Sequence, residues 1–181
     1  MRVAIGSDHA GFALKERVKA ELVSLGHEVQ DLGTDSAEKS VDYPDFAIPV
    51  AERVAAGAAD RGVVVCATGI GASIAANKVE GVRASVVTSD DTARLTRTDN
   101  DSNVLALGGR TTPDFDAALR WLGIWLSTPF AGGRHERRVA KIRDYESRER
   151  GARAWGTHAG GTHAQRGSGS GSGSEPGSST S

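Results

Sequence analysis

A single cysteine, Cys66, ends an apolar run and leads into a glycine-containing loop within the stretch VCATGIGAS at residues 65–73. We expect a helix to begin near Gly71, so that loop amides and a helix N-terminus form a concave site for an anion. The positive end of that helix would stabilise a thiolate and place Cys66 beside donors for a developing oxyanion. A buried core cysteine beside a tight glycine turn is the alternative. No Lys-Ser or Lys-Thr pair follows, so the stretch is not a phosphate-loop motif.

A second polar group, Asp8 and His9 in the stretch SDHAG, follows another short apolar run near the start of the chain. An aspartate and a histidine at a strand end could handle protons or bind hydroxyl groups. Asp8 could instead cap the following helix, with His9 merely exposed. The local sequence leaves both interpretations open.

Two further segments carry polar chemistry. The stretch DNDSN at residues 99–103 offers carboxylates and amides that could bind hydroxyl groups, although a polar turn has the same composition. The stretch GGRHERR at residues 132–138 is a basic cluster that opens the last predicted helix, and Arg110 could add to it. Arginine suits phosphate because its planar guanidinium pairs two oxygens at once, but a solvated helical face would look similar.

Short, Val-rich apolar runs alternate with amphipathic stretches, which is typical of a parallel sheet covered on both faces. The predicted strands are Val3–Gly6, Glu28–Leu32, Gly62–Cys66, Val82–Thr88 and Val104–Leu107. The predicted helices are Ala10–Leu25, Pro44–Gly57, Gly71–Lys78, Asp90–Thr98, Pro113–Leu126 and Glu136–Arg150. We therefore expect a three-layer αβα fold with a Rossmann-like open sheet of about five parallel strands. Ligands of such folds bind outside the carboxyl ends of the strands.

Composition limits the function classes. The net charge of −1 provides no field for nucleic acid or a membrane surface, and no apolar run approaches membrane-span length. One cysteine excludes an internal disulfide and a cysteine-based metal cluster, and it fits a reducing cytoplasm. Residues 151–181 are Gly/Ser-rich without apolar periodicity, so we predict one domain over 1–150 and a flexible tail over 151–181.

Taken together, these segments resemble the ribose-5-phosphate isomerase B family, which also contains galactose-6-phosphate isomerase subunits. The resemblance covers about residues 1–148. The matching stretches, in chain order, are GSDHAGFALK, DYPDFA, CATGIGASIAANK, GVRA, NDSNVLALGGR and GGRHERRV. It implies an aldose–ketose isomerase that acts on a small phosphorylated sugar through an enediolate, without a metal or other cofactor. It also implies a homodimer with active sites shared at the subunit interface, with a tetramer as the alternative.

The resemblance assigns roles to individual residues. Cys66 matches the base that moves a proton between C1 and C2, and Thr68 matches a hydroxyl that assists it. The amides of Ala67, Gly69, Ile70 and Gly71 match the loop that stabilises the enediolate. Asp8, His9, Tyr43 and Asn100 match sugar-binding positions. Arg134 and Arg138 match the phosphate clamp, with Arg110 and His135 as weaker members, partly supplied by the partner subunit.

Asp99 departs from the family pattern, which has a histidine at this position that opens the furanose ring. An aspartate can accept a proton from a ring hydroxyl, but it is a poorer proton donor than an imidazolium. Asp99 could still open the ring of ribose 5-phosphate, together with Asp8 or His9. The substrate could instead be a tetrulose phosphate such as erythrulose 4-phosphate, which cannot cyclise, or the chain could be an impaired variant.

The sequence therefore predicts a ribose 5-phosphate/ribulose 5-phosphate isomerase with Cys66 as base and Asp99 as a catalytic group. A tetrulose 4-phosphate isomerase is the nearest alternative. A noncatalytic sugar-phosphate-binding subunit is an alternative of another class, against which the retention of Cys66, Thr68 and the basic cluster argues. A nucleotide-binding module is disfavoured because GSDHAG replaces the Gly-x-Gly-x-x-Gly turn after the first strand.

Overall fold

The computed structural model describes residues 1–159, with side chains through residue 150. Its elements, in chain order, are β1 (Arg2–Ser7), α1 (Phe12–Ser24), β2 (Glu28–Asp31), α2 (Pro44–Ala55), β3 (Arg61–Cys66), α3 (Ile70–Ala76), β4 (Ala84–Val86), α4 (Asp90–Thr98), β5 (Val104–Gly108), α5 (Phe115–Ser127) and α6 (Arg134–Ala159). All strand pairs are parallel, and the strand order is β2-β1-β3-β5-β4. The predicted five-stranded parallel sheet is confirmed.

The element bounds differ from the prediction mainly where a capping residue or a turn sets them. Helix α5 begins at Phe115, not at Pro113, because the side chain of Asp114 accepts a hydrogen bond from the amide of Ala117. Strand β4 is confined to Ala84–Val86, the stretch that pairs with β5.

The chain separates into two compact units, Met1–Glu146 and Ser147–Ser181. Helix α6 continues to Ala159 and so crosses residue 150, where the sequence suggested that a tail begins. The rest of the predicted tail, residues 160–181, lies outside the described residues. Within the described part of the chain, no helix combines the length and apolar character needed to cross a bilayer.

The core has two halves, one on each face of the sheet, because successive side chains of a strand point to opposite faces. In β3, Val63 and Val65 pack with residues of α1 and α5, whereas Val64 and Cys66 pack with residues of α2 and α3. Every residue of β5 is buried. This explains why the central strands are nearly continuous apolar runs.

The segment after β2 is tied to the start of α1 by a buried lysine. The Lys15 ammonium donates to Asp31 Oδ2 at 2.8 Å and to the carbonyl of Thr34 at 2.9 Å. Burial alone would raise the pKa of Asp31, but hydrogen bonds from Lys15 and Lys19 and from the Gly33 amide outweigh it and hold this pKa below its usual value. Since the amide of Thr34 also donates to the carbonyl of Ser7, the network fixes this segment beside the end of β1.

Candidate active site

The thiol of Cys66 lies at the last position of β3 and is buried. The backbone N–H of Gly69 donates to its sulfur at 3.1 Å. Gly69 has a φ of 77°, and a Cβ there would lie 3.0 Å from the carbonyl carbon of Leu107. The turn that aims this N–H at Cys66 therefore requires glycine.

The end of β5 supports the other side of the Cys66 loop. The amide of Gly109 donates to the carbonyl of Cys66 at 2.8 Å, and that of Arg110 donates to the carbonyl of Ala67 at 2.9 Å. The two segments touch closely, because a Cβ on Gly108 would lie 2.9 Å from the Thr68 carbonyl. Arg110 is thus held beside the loop that carries Cys66 and Thr68.

Asp8 and His9 reach the same edge of the sheet from β1. The Asp8 amide donates to the carbonyl of Val65 at 3.3 Å, and its buried carboxylate accepts the Gly11 amide at 2.9 Å. Nδ1 of His9 lies 3.2 Å from both the amide nitrogen and the carbonyl oxygen of Val41, and these contacts orient the ring. His9 is therefore an oriented side chain, contrary to the alternative that it is merely exposed.

The ring of Tyr43 packs on the backbone of Gly71, where an added Cβ would lie 2.7 Å from Cζ. Tyr43 is the N-cap residue of α2 and Gly71 lies in the first turn of α3, so this contact joins the two helices at the Cys66 edge. Ile70 and Ile74 are more than half exposed beside it. We call Cys66, Asp8, His9, Tyr43, Arg110 and the loop Ala67–Gly71 the cysteine half-site.

Asp99 and Asn100 lie at the opposite edge of the sheet. They follow α4 and precede β5, whose first residue, Val104, pairs with Gly62, while Gly108 pairs with Cys66. Gly62 and Cys66 are four residues apart in β3, about 13 Å at about 3.3 Å per residue. The carbonyl of Asn103 accepts the Gly62 amide, which fixes the 99–103 turn at the start of β3. Within one chain, the turn cannot reach Cys66.

The basic cluster joins this second group. The Ala131 amide donates to the carbonyl of Thr98 at 3.1 Å, which brings the start of α6 beside Asp99. Nε2 of His135 lies 3.7 Å from Oδ1 of Asp99 and accepts the Nε–H of Arg134 at 3.2 Å. Arg134 and Arg138 are exposed one helical turn apart, whereas His135 is buried. We call Asp99, Asn100, Arg134, His135 and Arg138 the arginine half-site.

Comparisons with known proteins identify the family of the chain. The family model described as ribose/galactose isomerase matches residues 3–142. A putative sugar phosphate isomerase of Bacillus subtilis is 47% identical over 148 residues, covering 82% of this chain and 99% of the relative. Ribose-5-phosphate isomerase B of Escherichia coli is 46% identical over 147 residues, covering 81% of this chain and 97% of the relative. The chain belongs to the ribose/galactose isomerase family.

Solved structures of the family share the fold. Ribose-5-phosphate isomerase B of Clostridium thermocellum is 50% identical with a TM-score of 0.79, covering 82% of this chain and 99% of that chain. The Mycoplasma genitalium enzyme with bound ribulose 5-phosphate is 39% identical with a TM-score of 0.78, covering 81% of this chain and 96% of that chain. This chain is accordingly a sugar-phosphate aldose–ketose isomerase by family.

Sequence reasoning missed the residues that shape the 99–103 turn. Asp101 is the one described non-glycine residue with positive φ, at 47°. Its carboxylate accepts from Arg97 at 2.8 Å and from Arg83 at 3.0 Å, and Arg83 also holds the carbonyl of Asn100 at 3.0 Å. The i,i+4 spacing of Arg97 and Asp101 was a readable signal. Arg83 is distant in sequence, so only the folded chain reveals its part.

In the described part of the chain, no cluster of three or more histidine, cysteine, aspartate or glutamate side chains could hold a metal ion. The polar groups of the two half-sites are hydrogen-bond donors and acceptors, three exposed guanidinium groups and one thiol. Such a set suits proton transfer next to a bound anion.

Replacing Gly69 by alanine should destabilise the protein by about 1–2 kcal/mol. The alanine would have to adopt the left-handed backbone conformation of Gly69, and its Cβ would press against the carbonyl group of Leu107. Urea unfolding measures this change. Gly123→Ala is the matched control, since a Cβ at this helical position meets nothing within 4 Å and should stabilise by about 0.5–1 kcal/mol. Equal effects of the two substitutions would contradict our account of the loop.

Proposed function

We propose that this protein interconverts ribose 5-phosphate and ribulose 5-phosphate through an enediolate, with Cys66 as the base. The observation that carries the proposal is the buried Cys66 sulfur, which accepts the Gly69 amide at the mouth of a loop of backbone donors. Relatives that this chain matches over nearly their full length are named ribose-5-phosphate isomerase B. A cytoplasmic location fits, since the base must remain a reduced thiol.

The proposed proton transfer needs one base and one set of oxyanion donors. The thiolate of Cys66 takes the proton from C2 of the open-chain aldose and returns it to C1 of the enediolate. The amides of Gly69 and Ile70 are engaged within the loop, on the Cys66 sulfur and the Thr68 hydroxyl. The amide of Gly71, in the first turn of α3, has no acceptor within the helix and is available to the developing oxyanion.

Substrate hydroxyl groups need fixed polar partners in the cysteine half-site. The Gly11 amide holds Asp8, and the backbone of Val41 holds His9, so both side chains are oriented before a sugar binds. The carboxylate of Asp8 accepts hydrogen bonds, and the free ring nitrogen of His9 donates or accepts according to its tautomer. We assign these two side chains to the sugar hydroxyl groups, with Tyr43 closing the same side of the site.

We further propose that two copies of the chain share each active site. The two half-sites lie at opposite edges of one sheet, yet the base and the phosphate-binding arginines must contact the same small substrate. A two-fold dimer in which each arginine half-site faces the partner's cysteine half-site would complete two equivalent sites. The exposed Ile70 and Ile74 beside Cys66, and the exposed Ile142 on α6, supply apolar surface for this contact.

In this dimer Arg134 and Arg138 bind the phosphate, which does not react. They are exposed on one face of α6, where two guanidinium groups can pair with phosphate oxygens. Arg110 belongs to the cysteine half-site and would join them only across the subunit interface. Phosphate binding energy then holds the carbon chain in place for proton transfer.

Replacing Cys66 by alanine should lower kcat on ribose 5-phosphate by at least about a hundredfold, the contribution of a positioned base. Binding of a non-isomerisable sugar phosphate should persist, as measured by calorimetry. Cys66→Ser is the control for side-chain volume and should show a similar loss. Wild-type protein that binds the sugar phosphate without turnover would instead identify a noncatalytic binding subunit.

A mixed-dimer experiment tests the shared site. Cys66→Ala and Arg134→Ala should each be nearly inactive alone. After joint refolding of equal amounts, half of the dimers are mixed and each mixed dimer contains one intact site, so about a quarter of wild-type activity should return. If both residues acted within the same chain, the mixture would remain as inactive as its components.

Asp99 in place of the family's histidine favours one alternative, a tetrulose 4-phosphate substrate that cannot form a ring. We expect ribose 5-phosphate to have the higher kcat/KM, measured beside D- and L-erythrulose 4-phosphate. A tetrulose preference of tenfold, about 1.4 kcal/mol in transition-state binding, would reassign the substrate.

A further inference from the structure

An aldose 5-phosphate must open before any base can act on it. Its O4 hydroxyl is free and closes a five-membered ring on C1, which removes the carbonyl that makes the C2 proton acidic. Opening moves one proton from the anomeric O1 to the ring oxygen while the bond between C1 and that oxygen breaks. A single group that accepts and then returns a proton can catalyse this step. Ribulose 5-phosphate needs no such step, because its O5 carries the phosphate.

The arginine half-site contains a histidine that is held in place for such a transfer. The imidazole of His135 is buried, and its Nδ1 has no hydrogen-bond partner among the described residues. Its Nε2 therefore supplies the polar contacts, with Asp99 Oδ1 at 3.7 Å and Arg134 Nε at 3.2 Å. The hydroxyl of Thr98 donates to the same Asp99 oxygen at 2.8 Å and fixes the carboxylate.

Arg134 controls whether the Nε2 lone pair is free. The Arg134 Nε–H donates to Nε2 of His135, so this contact occupies the Nε2 lone pair. A phosphate dianion is a much stronger acceptor for a guanidinium than a neutral imidazole is. Once the substrate phosphate engages Arg134, Nε2 is released to accept a proton beside the Asp99 carboxylate.

We propose that His135 is the catalytic residue that opens the furanose ring, with Asp99 as the carboxylate that stabilises its imidazolium. Nε2 takes the proton of the O1 hydroxyl, the bond from C1 to the ring oxygen breaks, and the imidazolium gives the same proton to that oxygen. No co-reactant is consumed. This inference rests on the proposed isomerase function. It explains how a chain with aspartate at position 99 can still use a cyclic aldose.

The group that opens the ring also closes it in the reverse reaction, so the two directions differ only when the aldose leaves as the open-chain aldehyde and is trapped in that form. His135→Gln and Asp99→Asn keep polar side chains of similar size but remove the proton shuttle and its carboxylate. We expect each to lower kcat/KM on ribose 5-phosphate by about tenfold or more, within the usual range for acid–base groups. The rate on open-chain ribulose 5-phosphate, followed with a trap for the released aldehyde, should change less than about threefold.

His27→Gln provides the matched control, because His27 lies near the N-terminal amine, outside both half-sites. It should leave both directions unchanged. Urea unfolding of each variant separates loss of fold from loss of catalysis, and Asp99→Asn tests the same step if His135→Gln does not fold. Equal losses in both directions, or no loss in either, would overturn the assignment of His135. Wild-type protein without activity on either sugar would instead overturn the proposed function itself.

Discussion

The parallel direction of all five strands is the constraint on which the rest of this structure depends. Every strand ends at one edge of the sheet, and every crossover helix returns the chain to the other. Cys66 ends β3 and Asp8 follows β1, so they meet at the first edge. Asp99 follows α4, and Arg134 begins α6, whose His135 contacts Asp99 at the second edge. The fold therefore builds two separate polar groups, which the proposed dimer would bring together in one site.

Around Cys66, close backbone contacts take the place of side-chain partners. Gly69 supplies an amide to the sulfur, and the amides of Gly109 and Arg110 hold the loop from the other side. Glycine is required at positions 69 and 108, since a Cβ would meet carbonyl groups of the neighbouring segment. A loop fixed in this way would need little reorganisation to present the Gly71 amide, the donor proposed for the enediolate, to developing negative charge.

The second edge depends on charged side chains instead. Arg83 and Arg97 donate hydrogen bonds to the carboxylate of Asp101, whose backbone is left-handed. These contacts stabilise the turn that contains Asp99 and Asn100. Nε2 of His135 lies between Asp99 and Arg134. It accepts a hydrogen bond from Arg134 and faces the carboxylate of Asp99. The arginine half-site thus contains an imidazole, His135, with a carboxylate partner in Asp99.

The sequence by itself determined the sheet, the alternation of strands and helices, and the position of Cys66 at a strand end, because these follow from apolar periodicity and glycine placement. It also identified the family through several short motifs. Only the tertiary structure decided which polar residues meet. The pairing of His135 with Asp99, the grip of Arg83 on the turn, and the separation of Arg134 from Cys66 depend on contacts between segments far apart in the chain. Local residue patterns do not encode such contacts, because packing of helices and loops against the finished sheet sets them.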